Sequence, residues 1–290
     1  KYNMAQTFFK LLQEDNPLKI VGTINAYSAL LAKKSGHKAI YLSGAGVANA
    51  SYGLPDLALT SRDNVLEDLR RIKGIVDLPI LVDCDTGWGS GLNISKTIKE
   101  MISAGADAVH LEDQVSEKRC GHRPGKEIVS KEEMVDRIKA SKDSVTKNDF
   151  MLMARTDAFS KEGINSVIDR SNAFIEAGAD SIFPEAITSL EDYLEISKNV
   201  NAPILANITE FGLTPMFKTD ELKNAGVKMI LYPLSAFRAM SKAAEDVYLE
   251  LIDSDSLEKK VKKMQSRDEL YDVLNYHMYE KKIDELFSKE

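Results

Sequence analysis

The sequence is poor in cysteine, with only Cys84 and Cys120 in 290 residues. Two thiols in a chain long enough to bury a sizeable core argue against a disulfide framework. No apolar run approaches the roughly 20 residues that a bilayer span needs, and residues 1–12 lack the pattern of a signal peptide. Basic residues are not in excess, since the net charge is -7, which argues against nucleic acid as a partner. We expect a cytoplasmic protein that acts on small molecules, with no nucleic-acid or membrane partner.

Short runs rich in Val, Ile and Leu recur along the chain. Their nearly continuous apolar character suits parallel strands covered on both faces, and the amphipathic stretches between them are typical of helices. The predicted strands span residues 19–24, 39–42, 79–82, 107–111, 150–154, 181–183, 203–206 and 228–232. The predicted helices include residues 64–73, 92–103, 131–142, 164–177 and 236–252.

The alternation of strand and helix predicts the fold. Ser130 has capping-box spacing to Glu133, and the glycines in 104–107, 177–180 and 224–227 suit the left-handed position that follows a helix. Eight repeated units favour a closed barrel over an open sheet. We predict an α/β protein, a (β/α)₈ TIM barrel that forms one domain over the whole chain.

Two helical segments lie outside the predicted barrel. A first helix at about residues 5–13 precedes it, and residues 254–290 form a C-terminal helical tail. In the tail, Ser266 has capping-box spacing to Glu269 and apolar residues follow at helical spacing. The tail is expected to pack either on its own barrel or on a neighbouring subunit.

Polar and ionisable residues directly follow the predicted strands, at the rim that forms the active-site face of barrel enzymes. Asp83 and Asp85 are two residues apart, so on an extended segment both carboxylates would point one way and Cys84 the other. Adjacent carboxylates repel unless a cation separates them, and Mg²⁺ takes one or two protein carboxylates. Glu112, after the next strand, is expected to reach the same ion or one of its waters. The alternative is helix capping by surface aspartates.

One cysteine stands in a basic loop. The segment 118–123, Lys-Arg-Cys-Gly-His-Arg, surrounds Cys120 with four residues that can carry positive charge. Such surroundings are expected to lower the pKa of the thiol toward neutrality, and a cysteine of this kind can transfer a proton. The alternative is an inert cysteine. For Cys84, and for His110 inside a strand, a place in the core is the favoured interpretation.

Two arginines, Arg155 and Arg238, follow the fifth and eighth strands, where guanidinium groups can bind carboxylates in fork geometry. Short glycine clusters at 43–46 and 87–89 either permit close approach of the backbone to an anion or form turns.

Four segments together carry a resemblance to a known family: 83–87, 118–123, 184–186 and 207–212. Over essentially the whole chain, the sequence resembles the 2-methylisocitrate lyases of the isocitrate lyase and phosphoenolpyruvate mutase superfamily. The Lys-Arg-Cys-Gly-His loop is the most specific element, because mutases of the superfamily lack this cysteine. Isocitrate lyases usually carry Lys-Lys-Cys-Gly-His, a Ser-Pro-Ser element near residue 207 and a much longer chain.

The resemblance implies magnesium-dependent cleavage of the tricarboxylate 2-methylisocitrate to pyruvate and succinate, a step of propionate breakdown through the methylcitrate cycle, with Mn²⁺ as an alternative metal. It implies Asp83 and Asp85 as metal ligands and Glu112 acting through water. It also implies a homotetramer, a dimer of dimers, in which C-terminal helices are exchanged between subunits.

The resemblance further implies roles at the substrate. Cys120, Gly121 and His122 belong to a mobile loop that closes on the substrate, and Cys120 supplies a proton to the carbanion, which His122 helps to stabilise. Tyr41 and Glu185 are both candidates for the base. Substrate contacts are implied for Ser43, Gly44, Ala45, Gly121, Arg155, Glu185, Asn207, Thr209, Arg238 and Arg267. Ala45 departs from the glycine expected in close relatives, which narrows the space there.

Two other functions stay open. An isocitrate lyase, which gives glyoxylate and succinate, differs by whether the pocket holds one more methyl group, worth about 1–3 kcal/mol. A non-catalytic barrel that binds carboxylic acids is the alternative from another class. A mutase of the superfamily is disfavoured by the Cys120 loop.

Overall fold

The computed structural model describes residues 7–254 and 256–288. Its centre is a parallel sheet of eight strands in the order β6-β5-β4-β3-β2-β1-β8-β7, so that β1 pairs with both β2 and β8, and β6 and β7 are the edges. The strands are β1 (Leu18–Gly22), β2 (Ala39–Leu42), β3 (Ile80–Asp83), β4 (Ala108–Glu112), β5 (Met151–Thr156), β6 (Ser181–Pro184), β7 (Leu205–Asn207) and β8 (Met229–Tyr232). A parallel bridge between Ile182 and Ile204 joins the last two edges. The eight strands confirm the predicted barrel, with ends within two residues of those predicted.

Helices surround the barrel and extend beyond it. They are α1 (Phe8–Glu14), α2 (Ala26–Lys34), α3 (Gly44–Gly46), α4 (Arg62–Lys73), α5 (Gly91–Ser103), α6 (Lys131–Lys142), α7 (Phe159–Glu162), α8 (Ile164–Glu176), α9 (Leu190–Asn199), α10 (Thr219–Asn224), α11 (Ser235–Asp253), α12 (Glu258–Val261), α13 (Arg267–Leu274) and α14 (Tyr276–Phe287). A π-helical turn, Val47–Ser51, follows α3. Among the helices of the described residues, none has both the length and the apolar character that crossing a membrane requires.

The helix ends follow the chemistry of the sequence. Ser130 accepts a hydrogen bond from the backbone N–H of Glu133 at 3.1 Å and caps α6. The glycines after α5, α8 and α10 have φ values of 101°, 112° and 84°, a conformation that costs glycine little because it has no Cβ. These features confirm the predicted start of α6 and the predicted glycine stops after α5, α8 and α10.

The core has two layers. The larger layer lies between the sheet and the surrounding helices, and Cys84 is fully buried in it, as predicted. The smaller layer fills the barrel interior, where Phe8 and Leu11 of α1 pack with Leu18 and with inward side chains of the other strands. Helix α1 therefore closes the barrel at the amino ends of its strands. The prediction of a helix at 5–13 is confirmed from Phe8 onward, and residues 5 and 6 lie outside the described residues.

The tail differs from the single helix that the apolar spacing predicts. Ser266 and Glu269 form the predicted reciprocal capping box at the start of α13. Asn275 then adopts a left-handed conformation, φ 52°, which ends α13 and redirects the chain into α14. Helix α13 packs against α2 and buries Val273, whereas Met278, Ile283 and Phe287 of α14 stay exposed.

Candidate active site

A cavity of about 280 Å³ opens at the carboxyl ends of the barrel strands. Most of the residues predicted from the sequence line it, and Phe183 and Leu231 of the interior core form part of its wall. The predicted residues that line the cavity are Tyr41, Ser43, Ala45, Asp83, Cys120, Gly121, His122, Arg155, Glu185, Asn207, Thr209 and Arg238. Gly44, Asp85 and Glu112 are buried directly behind this wall.

Asp83 ends β3 and is held as a carboxylate. Its Oδ2 accepts from the backbone N–H of Gly44 at 3.0 Å and from the Tyr41 hydroxyl at 3.3 Å, and its Oδ1 accepts from the backbone N–H of Asp85 at 3.1 Å. Burial opposes ionisation, but the neighbouring His110, together with Lys118 and Arg155, lowers the pKa of Asp83 to about 2. This side chain is negatively charged at neutral pH.

The backbone at Asp85 differs from the extended segment that the sequence predicts for Asp83 and Asp85. The strand ends at Asp83, and Asp85 has φ 46°, so the segment is not extended and its side chains do not simply alternate. The two carboxylates converge nevertheless, because a Cβ placed on Gly44 would lie 3.0 Å from Asp83 Oδ2 and 3.1 Å from Asp85 Oδ1. Burial, together with the negative charge of Asp83, raises the pKa of Asp85 to about 6, although the positive charge of Lys118 lowers it.

The cation beside this pair is Lys118. Its Nζ lies 2.7 Å from Asp85 Oδ1 and 2.6 Å from Asp56 Oδ1, and its side chain is almost fully buried. Burial alone would lower its pKa, but Asp85, Glu112 and Asp56 hold it well above the ordinary value. Lys118 is therefore a fixed positive charge that neutralises the aspartates.

Glu112 faces Arg155 rather than the aspartates. Its Oε2 lies 3.1 Å from Arg155 Nη1, and burial raises the pKa of the carboxyl well above its ordinary value. A role through water at a metal stays a prediction.

Asp83 and Asp85 offer oxygen ligands of the kind that a divalent cation binds. Within residues 7–254 and 256–288, no group of three or more His, Cys, Asp or Glu side chains is arranged around one ion position. Two converging carboxylates are nevertheless the number that Mg²⁺ commonly takes from a protein while it keeps waters and substrate oxygens. Asp83 and Asp85 fit that partial set.

The prediction that the pKa of the Cys120 thiol is lowered toward neutrality is wrong. Burial raises the pKa of the thiol, and the negative charges of Asp56 and Glu185 raise it further. The backbone N–H of His122 and the positive charge of Arg155 act in the opposite direction and lower it. The basic neighbours in sequence do not lower it, because Lys118 is paired with aspartates and Arg119 Nη1 donates to the Pro124 carbonyl at 3.4 Å. Cys120 is a neutral thiol at neutral pH.

His122 joins this segment to two other parts of the rim. Its Nδ1 accepts from the backbone N–H of Leu213 at 2.9 Å, which leaves Nε2 to donate to Glu185 Oε1 at 3.1 Å. Glu185 Oε2 lies 3.3 Å from Arg155 Nη2. Burial opposes ionisation of Glu185, but Arg155 and His122 hold its pKa well below the ordinary value.

Tyr41 lines the cavity and contacts His110, which is buried behind it. The Tyr41 hydroxyl lies 2.9 Å from His110 Nε2, and the two rings stack with centroids 5.8 Å apart. Burial, with the charge of Asp83, raises the pKa of Tyr41 well above its ordinary value. His110 is fully buried, as predicted for a core histidine, and burial lowers its pKa to about 4. Both side chains are neutral at neutral pH.

Arg238 and Asn207 contribute groups from the other side of the mouth. Arg238 is half-exposed, with its guanidinium 5.5 Å from the centroid of the Phe211 ring and Nε 3.9 Å from Glu210 Oε2. Asn207 Nδ2 donates to Glu185 Oε1 at 3.3 Å. These contacts leave a guanidinium and an amide at the rim opposite Asp83.

Known proteins of one family match most of the chain. A family model described as phosphoenolpyruvate phosphomutase matches residues 8–252. The chain is 55% identical over 289 residues to 2-methylisocitrate lyase of Escherichia coli (strain K12), which covers 99% of this chain and 98% of the relative. It is 56% identical over 280 residues to 2-methylisocitrate lyase of Vibrio cholerae, covering 94% and 91%. The chain belongs to the 2-methylisocitrate lyase family.

The fold of the family extends to a solved structure of 2,3-dimethylmalate lyase, described as a member of the PEP mutase/isocitrate lyase superfamily. The two are 30% identical with a TM-score of 0.87, over 96% of this chain and 93% of the other. The resemblance recognised in the sequence, and the prediction that the chain is a lyase of this family, are confirmed.

One residue predicted from the family does not reach the cavity. Arg267 begins α13, which packs on α2, and it is not among the residues that line the cavity within this chain. Its contact with substrate stays a prediction.

Sequence reasoning missed Asp56 and the part that Lys118 plays beside it. Asp56 lines the cavity from the segment after the π-helical turn, where no strand or helix begins and no periodic pattern marks a site. The sequence indicates Lys118 only as a positive charge near the thiol. Their 2.6 Å ion pair joins two loops that are far apart in the sequence.

Proposed function

We propose that the chain cleaves 2-methylisocitrate to pyruvate and succinate with the help of a bound divalent cation, Mg²⁺ or alternatively Mn²⁺. The observation that carries this proposal is that one cavity contains the Asp83 carboxylate, a neutral Cys120 thiol and the guanidinium groups of Arg155 and Arg238. A tricarboxylate needs cationic partners, and carbon–carbon cleavage needs a proton donor for the carbon that gains the electron pair.

The metal would be held by Asp83 and Asp85. When bound, the cation supplies positive charge that stabilises negative charge developing on the substrate oxygens. Asp83 is already ionised, and its Oδ1 and Oδ2 are oriented by the backbone N–H groups of Asp85 and Gly44. Lys118 offsets the second carboxylate, so its pairing with Asp85 would have to loosen as the cation enters.

Glu185 is the better of the two candidate bases. The Tyr41 hydroxyl is neutral and donates to Asp83, so it cannot accept a proton while that bond persists. Glu185 is ionised because Arg155 and His122 face it. If Arg155 turns toward a substrate carboxylate, Glu185 loses part of that positive charge and becomes more basic. The hydroxyl proton then passes to Glu185 as the keto group of pyruvate forms.

Cleavage leaves the electron pair of the broken bond on the carbon that becomes part of succinate. Cys120 is a protonated thiol, the form that a general acid needs before the reaction, and it donates its proton to that carbon. Arg238, Asn207 and His122 bind carboxylate oxygens, and the backbone of Gly121 fits closely, since a Cβ there would lie 2.5 Å from Arg155 Nη2. The segment 118–123 covers the cavity and keeps water from the reactive carbon.

We expect the protein with Mg²⁺ to release pyruvate from 2-methylisocitrate and to form little glyoxylate from isocitrate. One additional methyl group in an apolar pocket changes the ratio of kcat/KM by about 10- to 200-fold. The two tricarboxylates are incubated separately with the same preparation, and pyruvate and glyoxylate are measured. Faster glyoxylate release would favour an isocitrate lyase, whereas binding without either product would favour a non-catalytic acid-binding barrel.

We propose in addition that the chain acts in the cytoplasm as one domain whose tail joins it to other copies in a homotetramer. Apolar side chains on α14, Ile283, Leu286 and Phe287, are more than half exposed in this chain. A second copy of the chain would cover them, because helices with exposed apolar faces associate in water.

Light scattering should give four times the mass of the chain, and Ile283→Asp combined with Phe287→Asp should lower the mass by breaking the contact. Leu92→Asp is the control, since Leu92 is 87% exposed on α5, away from the tail. If the wild-type chain is a monomer, or if the double variant keeps the mass of the wild type, the proposal that the tail joins the subunits is wrong.

A further inference from the structure

Lys126 lies just beyond the segment that carries Cys120, and its ammonium group is buried. Only 4% of its side chain is exposed, and Nζ lies 2.6 Å from the Gly121 carbonyl oxygen and 2.8 Å from Asp157 Oδ1. Gly121 stands between Cys120 and His122 in the chain. A single ammonium group therefore fixes the backbone between the two predicted catalytic side chains.

The acceptor on the barrel side also holds Arg155. Asp157 Oδ2 accepts from Arg155 Nε at 2.9 Å, and Oδ1 accepts from Arg155 Nη2 at 3.2 Å as well as from Lys126. The Asp157 backbone N–H donates to Asp113 Oδ1 at 2.8 Å, and the Asp157 side chain is fully buried. One rigid carboxylate thus contacts both the loop lysine and the arginine that faces the cavity.

Sharing this carboxylate has a consequence for Arg155. When Lys126 is in place, the charge of Asp157 is divided between two cations, and its attraction for Arg155 is weaker. When Lys126 leaves, Asp157 binds Arg155 alone and holds the guanidinium away from other carboxylates. The position of the loop is thereby coupled to the freedom of Arg155 to bind a substrate carboxylate.

The same segment has a second attachment before Cys120. The Gln114 side chain donates to the Arg119 carbonyl oxygen and accepts from the Arg119 backbone N–H, both at 2.9 Å. These hydrogen bonds of Gln114 do not involve Arg155, so Gln114 holds the loop without affecting Arg155. Lys126 both holds the loop and, through Asp157, affects Arg155.

We infer that Lys126 is a positioning residue: its ammonium group holds the Cys120 segment closed through Gly121 and, through Asp157, releases Arg155 for the substrate. Lys126 does not line the cavity, so it acts through these neighbours and not on the substrate itself. The part of this inference that concerns turnover rests on the proposed lyase function.

Lys126→Met removes the charge while keeping a long side chain, and two readouts test it. Labelling of thiols by a disulfide reagent reports on loop opening, because Cys84 is fully buried and Cys120 is only partly exposed while the loop is closed. We expect labelling to be about tenfold faster in the variant, since opening then costs less. We expect kcat for 2-methylisocitrate to fall about 10- to 100-fold, with a much smaller change in KM, as the thiol and Arg155 are misplaced.

Lys131→Met is the matched control. Lys131 pairs with Asp169 at 2.7 Å on the exposed surface at the start of α6, and it should change neither readout. If Lys126→Met does not fold, Lys126→Gln replaces it, since the amide can still donate to Gly121 but lacks the charge that Asp157 requires; the same direction is expected for both readouts.

Labelling at the wild-type rate would overturn the inference, and so would faster labelling with unchanged kcat, because the coupling to Arg155 would then be absent. Labelling needs no substrate. A wild-type chain that does not cleave 2-methylisocitrate would therefore refute the proposed function and leave the loop contact to be judged by labelling alone.

Discussion

Replacing Cys120 with serine should leave binding of Mg²⁺ and 2-methylisocitrate intact and lower turnover about 10²- to 10⁴-fold, the range attributed to a positioned proton donor. Serine keeps the shape of the side chain, but its hydroxyl is a far weaker acid than a thiol. The carbon that receives the electron pair would then have to take its proton from water, and the closed segment excludes water from the site. The measurement compares kcat with the dissociation constant of the substrate, determined by calorimetry.

The second cysteine provides the control for this experiment. Cys84 is fully buried in the layer between the barrel and the helices, and its thiol takes no part in the proposed reaction. Cys84→Ala should therefore keep turnover within a few-fold of wild type, at some loss of stability from the small cavity. Unchanged turnover in Cys120→Ser would remove Cys120 from its role as acid.

Asp83→Ala should lower the metal-dependent rate about a thousandfold. A divalent cation contributes several kcal/mol of charge stabilisation in the transition state, and each 1.4 kcal/mol corresponds to about tenfold in rate. Asp83 has the lower pKa of the acidic pair, so its loss removes the more firmly ionised of the two carboxylates that attract the cation. The rate is measured while Mg²⁺ is titrated, and thermal unfolding is recorded because Gly44 and Tyr41 lose a hydrogen-bond acceptor.

Asp77→Ala is the control for a lost aspartate near the same strand. Asp77 precedes β3 at the opposite end, its side chain is 83% exposed, and it pairs with Lys33 at 2.6 Å. That variant should behave like the wild type. Recovery of the full rate by Asp83→Ala at ordinary Mg²⁺ concentrations would contradict the assignment of Asp83 as a ligand.

The barrel was predictable because most of its strands are buried on both faces. Such strands are apolar at most positions, so a strand such as β2, which is buried at every position, stands out from amphipathic helices without any knowledge of tertiary contacts. Glycine after a helix and serine before one mark the boundaries for local reasons of backbone conformation and hydrogen bonding. The break at Asn275 was not predictable from apolar spacing, because that spacing continues through it.

The sequence predicted which residues line the cavity better than it predicted their ionisation. Asp83 and Cys120 do line one cavity. The pKa of Cys120 was predicted with the wrong sign, because sequence neighbours reveal which charges are near along the chain but not where they point or how deeply the thiol is buried. Lys118 turns to Asp56, a residue 62 positions away, and thereby ceases to stabilise a thiolate. Pairings over such distances depend on the fold and have no local signal.

Helix α1 bears on how substrate and products travel. Phe8 and Leu11 fill the barrel interior at the amino ends of the strands, opposite the end where the cavity opens. In the proposed reaction, the substrate enters and both products leave at the carboxyl ends of the strands, past the segment that carries Cys120. Under this proposal the segment opens once in every cycle, and its rate of opening sets an upper bound on the rate of turnover.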